Sequence, residues 1–248
     1  MKATVIVLGL TLLFPGTTFG AQSVKRTQPI VYVALGDSIT WGLSASKTCQ
    51  PQTPTPVQAA CADATSFPAV LARTLQARGH DVRIQNLAIS GARIAWVWAY
   101  QVNRITPKAN LITLFIGTND FVDVGSHGPA VLKQFAIQYG TLISYLHAHF
   151  ARARILLLNV PNMGYLPCCA VMRPAFESWK IVNTLIDAFA GKATIVDLVC
   201  DGALYNPRMF PAADAVHPSD AGHARIAADI LKALASPKKP AASCPPYF

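Results

Sequence analysis

Glutamate is nearly missing from this chain: eleven of its twelve acidic residues are Asp, and Glu177 stands alone. Few side chains are therefore available for any carboxylate role. Charge of either sign is sparse, at 13% of 248 residues against roughly 25% in an ordinary soluble domain, while 52% of the residues are hydrophobic. Disorder is excluded, and the length is ample for one domain with a substantial core.

Dense basic runs are also lacking. Lys and Arg number 21 and give a formal net charge of +9, yet the only tight pairs are Lys25-Arg26 and Lys238-Lys239. Such scatter argues against a nucleic-acid site and predicts solubility with weak attraction to anionic surfaces.

Only one long apolar run exists, from Ala3 to Phe14, preceded by Lys2 and closed by Pro15-Gly16. Its length falls short of the roughly 20 residues that span a bilayer. The small residues that follow complete the layout of a secretory signal peptide over residues 1–20, with cleavage after Gly20 or Ala21. No later stretch qualifies as a membrane anchor, because Arg83 and Arg93 interrupt the apolar region around Trp96 and Trp98. The mature protein is expected to be secreted or periplasmic and monomeric.

Zinc-type cysteine pairs are missing too. Cys49, Cys61, Cys168, Cys169, Cys200 and Cys244 form an even set whose spacings contain no Cys-x-x-Cys, so in an exported chain they read as disulfide partners and not as metal ligands. Adjacent Cys168 and Cys169 rarely bridge each other, so each is expected to reach a distant partner. Cys49 with Cys61 is the best local pairing, since it would order a loop carrying Pro51, Pro54 and Pro56.

What is present alternates. Short β-rich apolar runs at Val31 to Leu35, Val82 to Ala88, Leu111 to Ile116, Ile155 to Val160 and Ala193 to Leu198 are separated by stretches of helical spacing at Phe67 to Arg78, Val131 to Phe150 and Phe176 to Phe189. A last helix is expected at Ala221 to Leu234, followed by a Pro-rich extended strap from Ser236 to Phe248 that Cys244 could tie down. The pattern predicts an α/β fold of three layers around a parallel sheet of about five strands, with no internal repeat and no domain boundary in residues 21–248.

Ligands of open parallel sheets bind beyond the carboxyl ends of the strands. Those positions hold Gly36-Asp37-Ser38-Ile39-Thr40, then Ser90-Gly91-Ala92, then Gly117-Thr118-Asn119-Asp120; before the last helix comes Asp214-Ala215-Val216-His217-Pro218. Together they supply the parts for acyl transfer through a covalent intermediate. Ser38 is the candidate nucleophile, aided by the positive end of any helix that begins there. His217 is the candidate general base and acid, with Asp214 orienting it. Oxyanion donors are expected from the Ser38 and Gly91 backbone N–H groups and the Asn119 side-chain amide.

In this order and at these separations, the four blocks resemble the GDSL or SGNH hydrolase superfamily. The resemblance covers Val31 to about Leu234. It implies a flavodoxin-like fold, ester hydrolysis by a Ser-His-Asp triad, and no metal or cofactor. The nucleophile elbow of α/β-hydrolases is missing, since Thr40 stands where Gly-x-Ser-x-Gly needs its second glycine.

Taken singly, each block has a plain structural reading. Asp37 reads as a helix N-cap, and Gly91 and Asn119 as turn residues. Among rival bases, His80, His147 and His149 have no carboxylate at motif spacing, His127 has Asp123, and His223 reads as packing within the last helix. Trp41 and Phe121 directly follow catalytic blocks and are candidate contacts of the acyl group. The leading function is an esterase or lipase acting on small-molecule or lipid esters. A carbohydrate O-acetylesterase with the same triad is the alternative within the enzyme class. A non-catalytic lipid- or glycan-binding relative is the alternative outside it, and it would need none of the four polar groups.

Overall fold

In the computed structural model, which describes residues 28–127, 130–165, 176–211, 216–241 and 244, the first strand lies inside the sheet. Strand β1 (Ile30–Gly36) is buried from its second residue onward. It pairs in parallel with β3 (Val82–Asn86) on one side and β4 (Leu111–Phe115) on the other, and β5 (Arg154–Leu158) and β6 (Thr194–Val196) continue the parallel sheet beyond β4. A two-residue antiparallel strand, β2 (Thr55–Pro56), closes the far edge, so the order is β2-β3-β1-β4-β5-β6. Pro56 lacks an amide donor, which an edge strand tolerates.

This order reverses direction at β1. The chain moves outward one way to β3, then crosses β1 and moves outward the other way through β4, β5 and β6. Right-handed crossovers then put the helices of the two halves on opposite faces of the sheet. One face carries α3 (Phe67–Ala77), against which the last helix, α8 (Asp220–Ala235), packs; the other carries α5 (Thr118–His127), α6 (Ala130–His149) and α7 (Phe176–Asp187), which pack together. With both faces covered, β4 is buried from Leu111 to Phe115 and apolar except for Thr113, whose hydroxyl lies 2.9 Å from that of Tyr32.

The expected strands and the four expected helices occur within a few residues of their predicted limits. Four features differ. Strand β2 and the one-turn helix α2 (Val57–Ala60) lie in the loop read only as Pro-rich, and α5 was hidden because its 118–127 sequence is polar at its start and carries Gly125. The segment from Ile94 onward forms a short helix α4 (Ile94–Trp96) that runs into a π-helical turn (Val97–Gln101) and a 3₁₀ turn (Val102–Arg104). Its apolar spacing matches no single helical period.

Cys49 is bonded to Cys61 and Cys200 to Cys244. Cys168 and Cys169 lie outside the described residues, as do the proposed signal segment and Asp214. Among the described residues no helix is long and apolar enough to cross a membrane. The Cys49–Cys61 loop is laced to the edge of the sheet: the Asn86 N–H donates to the Pro51 carbonyl at 3.0 Å, and the Gln85 amide donates to the Gln52 carbonyl at 2.7 Å. Both sulfurs and Val57 sit in the core.

Candidate active site

Ser38 opens a helix of a single turn, α1 (Ser38–Trp41), capped by Asp37 and ended by Gly42 in the left-handed conformation. One turn aligns few peptide dipoles, so the helix-end assistance expected from the sequence is small. The position of Ser38 depends instead on what surrounds the turn. Gly36 has φ 154°, and an added Cβ there would collide with the Phe115 carbonyl oxygen and the Thr40 side chain. The buried Gln101 amide clamps the same residue from both sides, accepting from the Gly36 N–H at 2.9 Å and donating to its carbonyl at 2.8 Å. Sequence reasoning missed Gln101, because nothing in its π-helical surroundings marks it as polar and buried. Asn86, at the end of β3, donates to the Thr40 carbonyl at 3.0 Å and the Cys49 carbonyl at 3.3 Å, and so fixes the end of the same turn.

The hydroxyl held in this way meets an imidazole from the other end of the chain. His217 Nε2 lies 2.8 Å from Ser38 Oγ across 179 positions of sequence. Behind His217, Ser219 caps α8 by accepting from the Gly222 N–H, while its hydroxyl donates to the Arg208 carbonyl at 2.6 Å. Asp220 then accepts from the Ser46 N–H and hydroxyl at 2.7 and 2.6 Å, tying the histidine's helix to the loop that follows Ser38.

The second and third blocks are joined side by side. Asn119 donates to the Ala92 carbonyl at 2.9 Å, and both carboxylate oxygens of Asp120 accept from the Ile94 N–H at 3.2 Å. Gly91 sits at φ 78°, a backbone conformation that other residues enter with strain, and is exposed. One N–H of the Asn119 amide is thus used to fix its orientation, and a second remains to be offered. Asp120 is buried and acts as a strut between the two blocks.

Two other expectations meet the geometry differently. Phe121 is only 2% exposed and belongs to the hydrophobic core, so it is not available to an acyl group at the surface; its place after Asn119 reflects the core-facing side of α5. Trp41 is half-buried and remains next to the nucleophile's turn. Among the rival imidazoles, His223 is buried and pushed down to about 4 by desolvation. It stays neutral, with the Phe67 N–H donating to Nδ1 at 3.3 Å and Nε2 3.4 Å from the Leu43 carbonyl. Both nitrogens serve the backbone, which leaves none for proton transfer. Among the described residues, no group of three His, Cys, Asp or Glu side chains could hold a metal.

Burial raises Asp37 to about 7, and the charge of Asp120 adds to the rise. One oxygen accepts from the Ile39 N–H at 3.0 Å. A carboxyl of this kind is neutral in the folded chain but ionised in the unfolded chain between about pH 4 and 7. Folding therefore loses stability as pH climbs through that window, by up to about 4 kcal/mol from this one group. Asp37→Asn keeps an acceptor for Ile39 and cannot ionise. Urea midpoints of the two proteins should differ in pH slope, the variant gaining relative to the wild type between pH 4 and 7. Parallel slopes would mean that Asp37 is ionised throughout.

Residues 34–225 match the GDSL-like lipase/acylhydrolase family. No curated protein matches the chain significantly in sequence. Solved structures are similar in fold. An extracellular lipase from Streptomyces rimosus is 21% identical, with a TM-score of 0.56, over 84% of this chain and all of that one. An acetylxylan esterase from Geobacillus stearothermophilus is 20% identical, with a TM-score of 0.58, over 88% of this chain and all of that one. A second acetyl xylan esterase is 19% identical, with a TM-score of 0.60, over 83% of this chain and 100% of its own.

Proposed function

Because the chain belongs to the GDSL-like lipase/acylhydrolase family, we propose that its ester hydrolysis runs through Ser38, His217 and Asp214, with an acyl-enzyme on Ser38. The observation that carries this reading is the 2.8 Å contact between His217 Nε2 and Ser38 Oγ. In the first half-reaction Ser38 Oγ attacks the ester carbonyl as His217 takes its proton. The tetrahedral oxyanion is met by the Ser38 and Gly91 N–H groups and the second N–H of Asn119. Collapse expels the alcohol, protonated by His217. Water, activated by the same imidazole, then releases the acid. Asp214 acts through His217, setting its tautomer and stabilising the imidazolium. No cofactor enters this sequence of steps. A binding protein would have no use for a serine and histidine held at proton-transfer distance.

The ester itself is proposed to be a carboxylic ester of a small alcohol or lipid, reached after export under the signal segment at residues 1–20. A second reading, an O-acetylated sugar, draws support from one surface feature. Trp96 and Tyr100 are 43% and 55% exposed and stand edge to face at 6.0 Å on the segment that follows Gly91, a pair of faces on which a sugar ring can stack. A series of aryl esters from acetate to palmitate, run beside acetylated xylan with Ser38→Ala as blank, tests both. A maximum at medium or long chains assigns a lipase or esterase. Release of acetate from xylan at rates matching aryl acetate, with longer chains inert, assigns the sugar ester.

A further inference from the structure

Positive charge that is scattered in sequence is gathered in space. Every loop that enters a parallel strand lies at the sheet edge opposite Ser38; the segments leading into β3, β5 and β6 bring Arg78, Arg152, Arg154 and Lys192 there, and the strap after α8 adds Lys238 and Lys239, all exposed. Two grooves run there. One, of about 480 Å³, is lined by Arg78, His80, Arg152 and Arg154. The other, of about 420 Å³, is lined by His147, Arg154, Lys192, Lys238 and Lys239. Arg154 is common to both, so they form one track.

We propose that this track is a docking site for a linear polyanionic glycan, one bearing carboxylate or sulfate groups. No Asp or Glu lines either groove among the described residues. None of its Lys or Arg side chains is in an ion pair among them either. Helix C-termini attract cations and account for Arg78, which ends α3. They do not account for Arg152, Lys192, Lys238 or Lys239, which lie in loops. The strap carrying Lys238 and Lys239 leaves α8 at Ala235 and is anchored beyond the lysines, by the Ala241 N–H donating to Asp197 at 3.0 Å and by the Cys200–Cys244 bond. These two lysines also border a third cavity of about 310 Å³ that contains Asp197, Asp201 and Asp229, which limits the track on that side.

Shape and composition select the glycan over other polyanions. Among the described residues no Phe, Tyr or Trp lines the track, so they offer single-stranded nucleic acid no stacking platform. The large exposed apolar side chains among them, Trp96, Tyr100, Val122, Ile137, Tyr165 and Ile181, lie outside both grooves, so none of these inserts into a bilayer at the track. A groove of fixed charges fits an extended chain of anionic rings. Because β1 separates the two edges, a tethered glycan leaves the catalytic edge facing outward, whichever ester is the substrate.

Two variants of equal net charge test this. The first carries Arg78→Gln, Arg152→Gln, Lys192→Gln, Lys238→Gln and Lys239→Gln. The second carries Lys47→Gln, Arg83→Gln, Arg104→Gln, Lys133→Gln and Lys180→Gln, all exposed and none lining either groove. Binding is read as Kd for heparin and for polygalacturonate across a salt series, beside anionic phospholipid vesicles and single-stranded DNA. The expected result is at least a tenfold weaker Kd for one of the two glycans in the first variant only, with a shallower salt dependence, and unchanged kcat/KM on aryl acetate in both. Equal weakening in the two variants would reduce the effect to net charge and overturn the proposal. So would tighter binding of vesicles or DNA than of either glycan, or absence of glycan binding by the wild type. Should the first variant fail to fold, Lys192→Gln with Lys238→Gln and Lys239→Gln carries the same test.

Discussion

Ser38→Ala is expected to lower kcat on aryl acetate by on the order of 10⁶-fold, and His217→Ala by a similar factor. The size of the loss follows from what each atom does. Without Ser38 Oγ there is no acyl-enzyme, and the remaining oxyanion donors can only assist direct attack by water. Without His217 the hydroxyl loses the acceptor for its proton, and His223 offers no substitute, having both nitrogens turned to the backbone. The two groups act as one unit, so the double variant should be scarcely worse than either single one. Neither change should disturb the fold, because the turn is held by Gly36, Gln101 and Asn86 and not by the hydroxyl. Steady-state rates with thermal unfolding as control give the answer. Wild-type turnover by folded Ser38→Ala would remove the assignment, while additive losses in the double variant would mean that the two side chains do not share one step.

How much of this site can be read from the sequence depends on how local each signal is. The blocks around Ser38, Gly91 and Asn119 can be picked out because each follows a parallel strand, and loops at one sheet edge face a common space; His217 meets Ser38 from the long segment between β6 and α8. The strands are legible because burial on both faces favours largely apolar runs such as Leu111 to Phe115, broken only by Thr113. Gln101 and Asn86 are illegible for the opposite reason. Each is a lone amide in an apolar or irregular stretch, and only the tertiary structure shows that its partners are the backbone of Gly36 and Thr40. Phe121 misleads because a helix presents successive residues to different sides: Asn119 reaches the Ala92 carbonyl, and the side chain two positions on faces the core. The basic track is invisible in sequence because its members come from four separate loops; only the fold shows that Arg78 and Lys239 share an edge.

The second large effect expected is at Asn119. Asn119→Ala should reduce kcat by about 10²–10³-fold with little change in KM, the cost of removing one donor from an oxyanion hole. The amide has two N–H groups. One is spent on the Ala92 carbonyl at 2.9 Å, and that bond aims the other. Substitution therefore removes both a donor to the transition state and a link between the second and third blocks, and the two consequences need separating. Asp120 provides the separation, since its carboxylate holds the Ile94 N–H beside the same link and is untouched by the change. The blocks should stay joined, with thermal stability lowered by no more than about 1–2 kcal/mol for one lost hydrogen bond. A donor that acts only on developing charge changes kcat and kcat/KM by the same factor. If instead KM alone rises, Asn119 binds the ground-state ester. If the rate loss tracks the loss of stability across Asn119→Ala, Asn119→Ser and Asn119→Asp, its contribution is to hold Ala92 in place, and the oxyanion is met by the Ser38 and Gly91 amides without it.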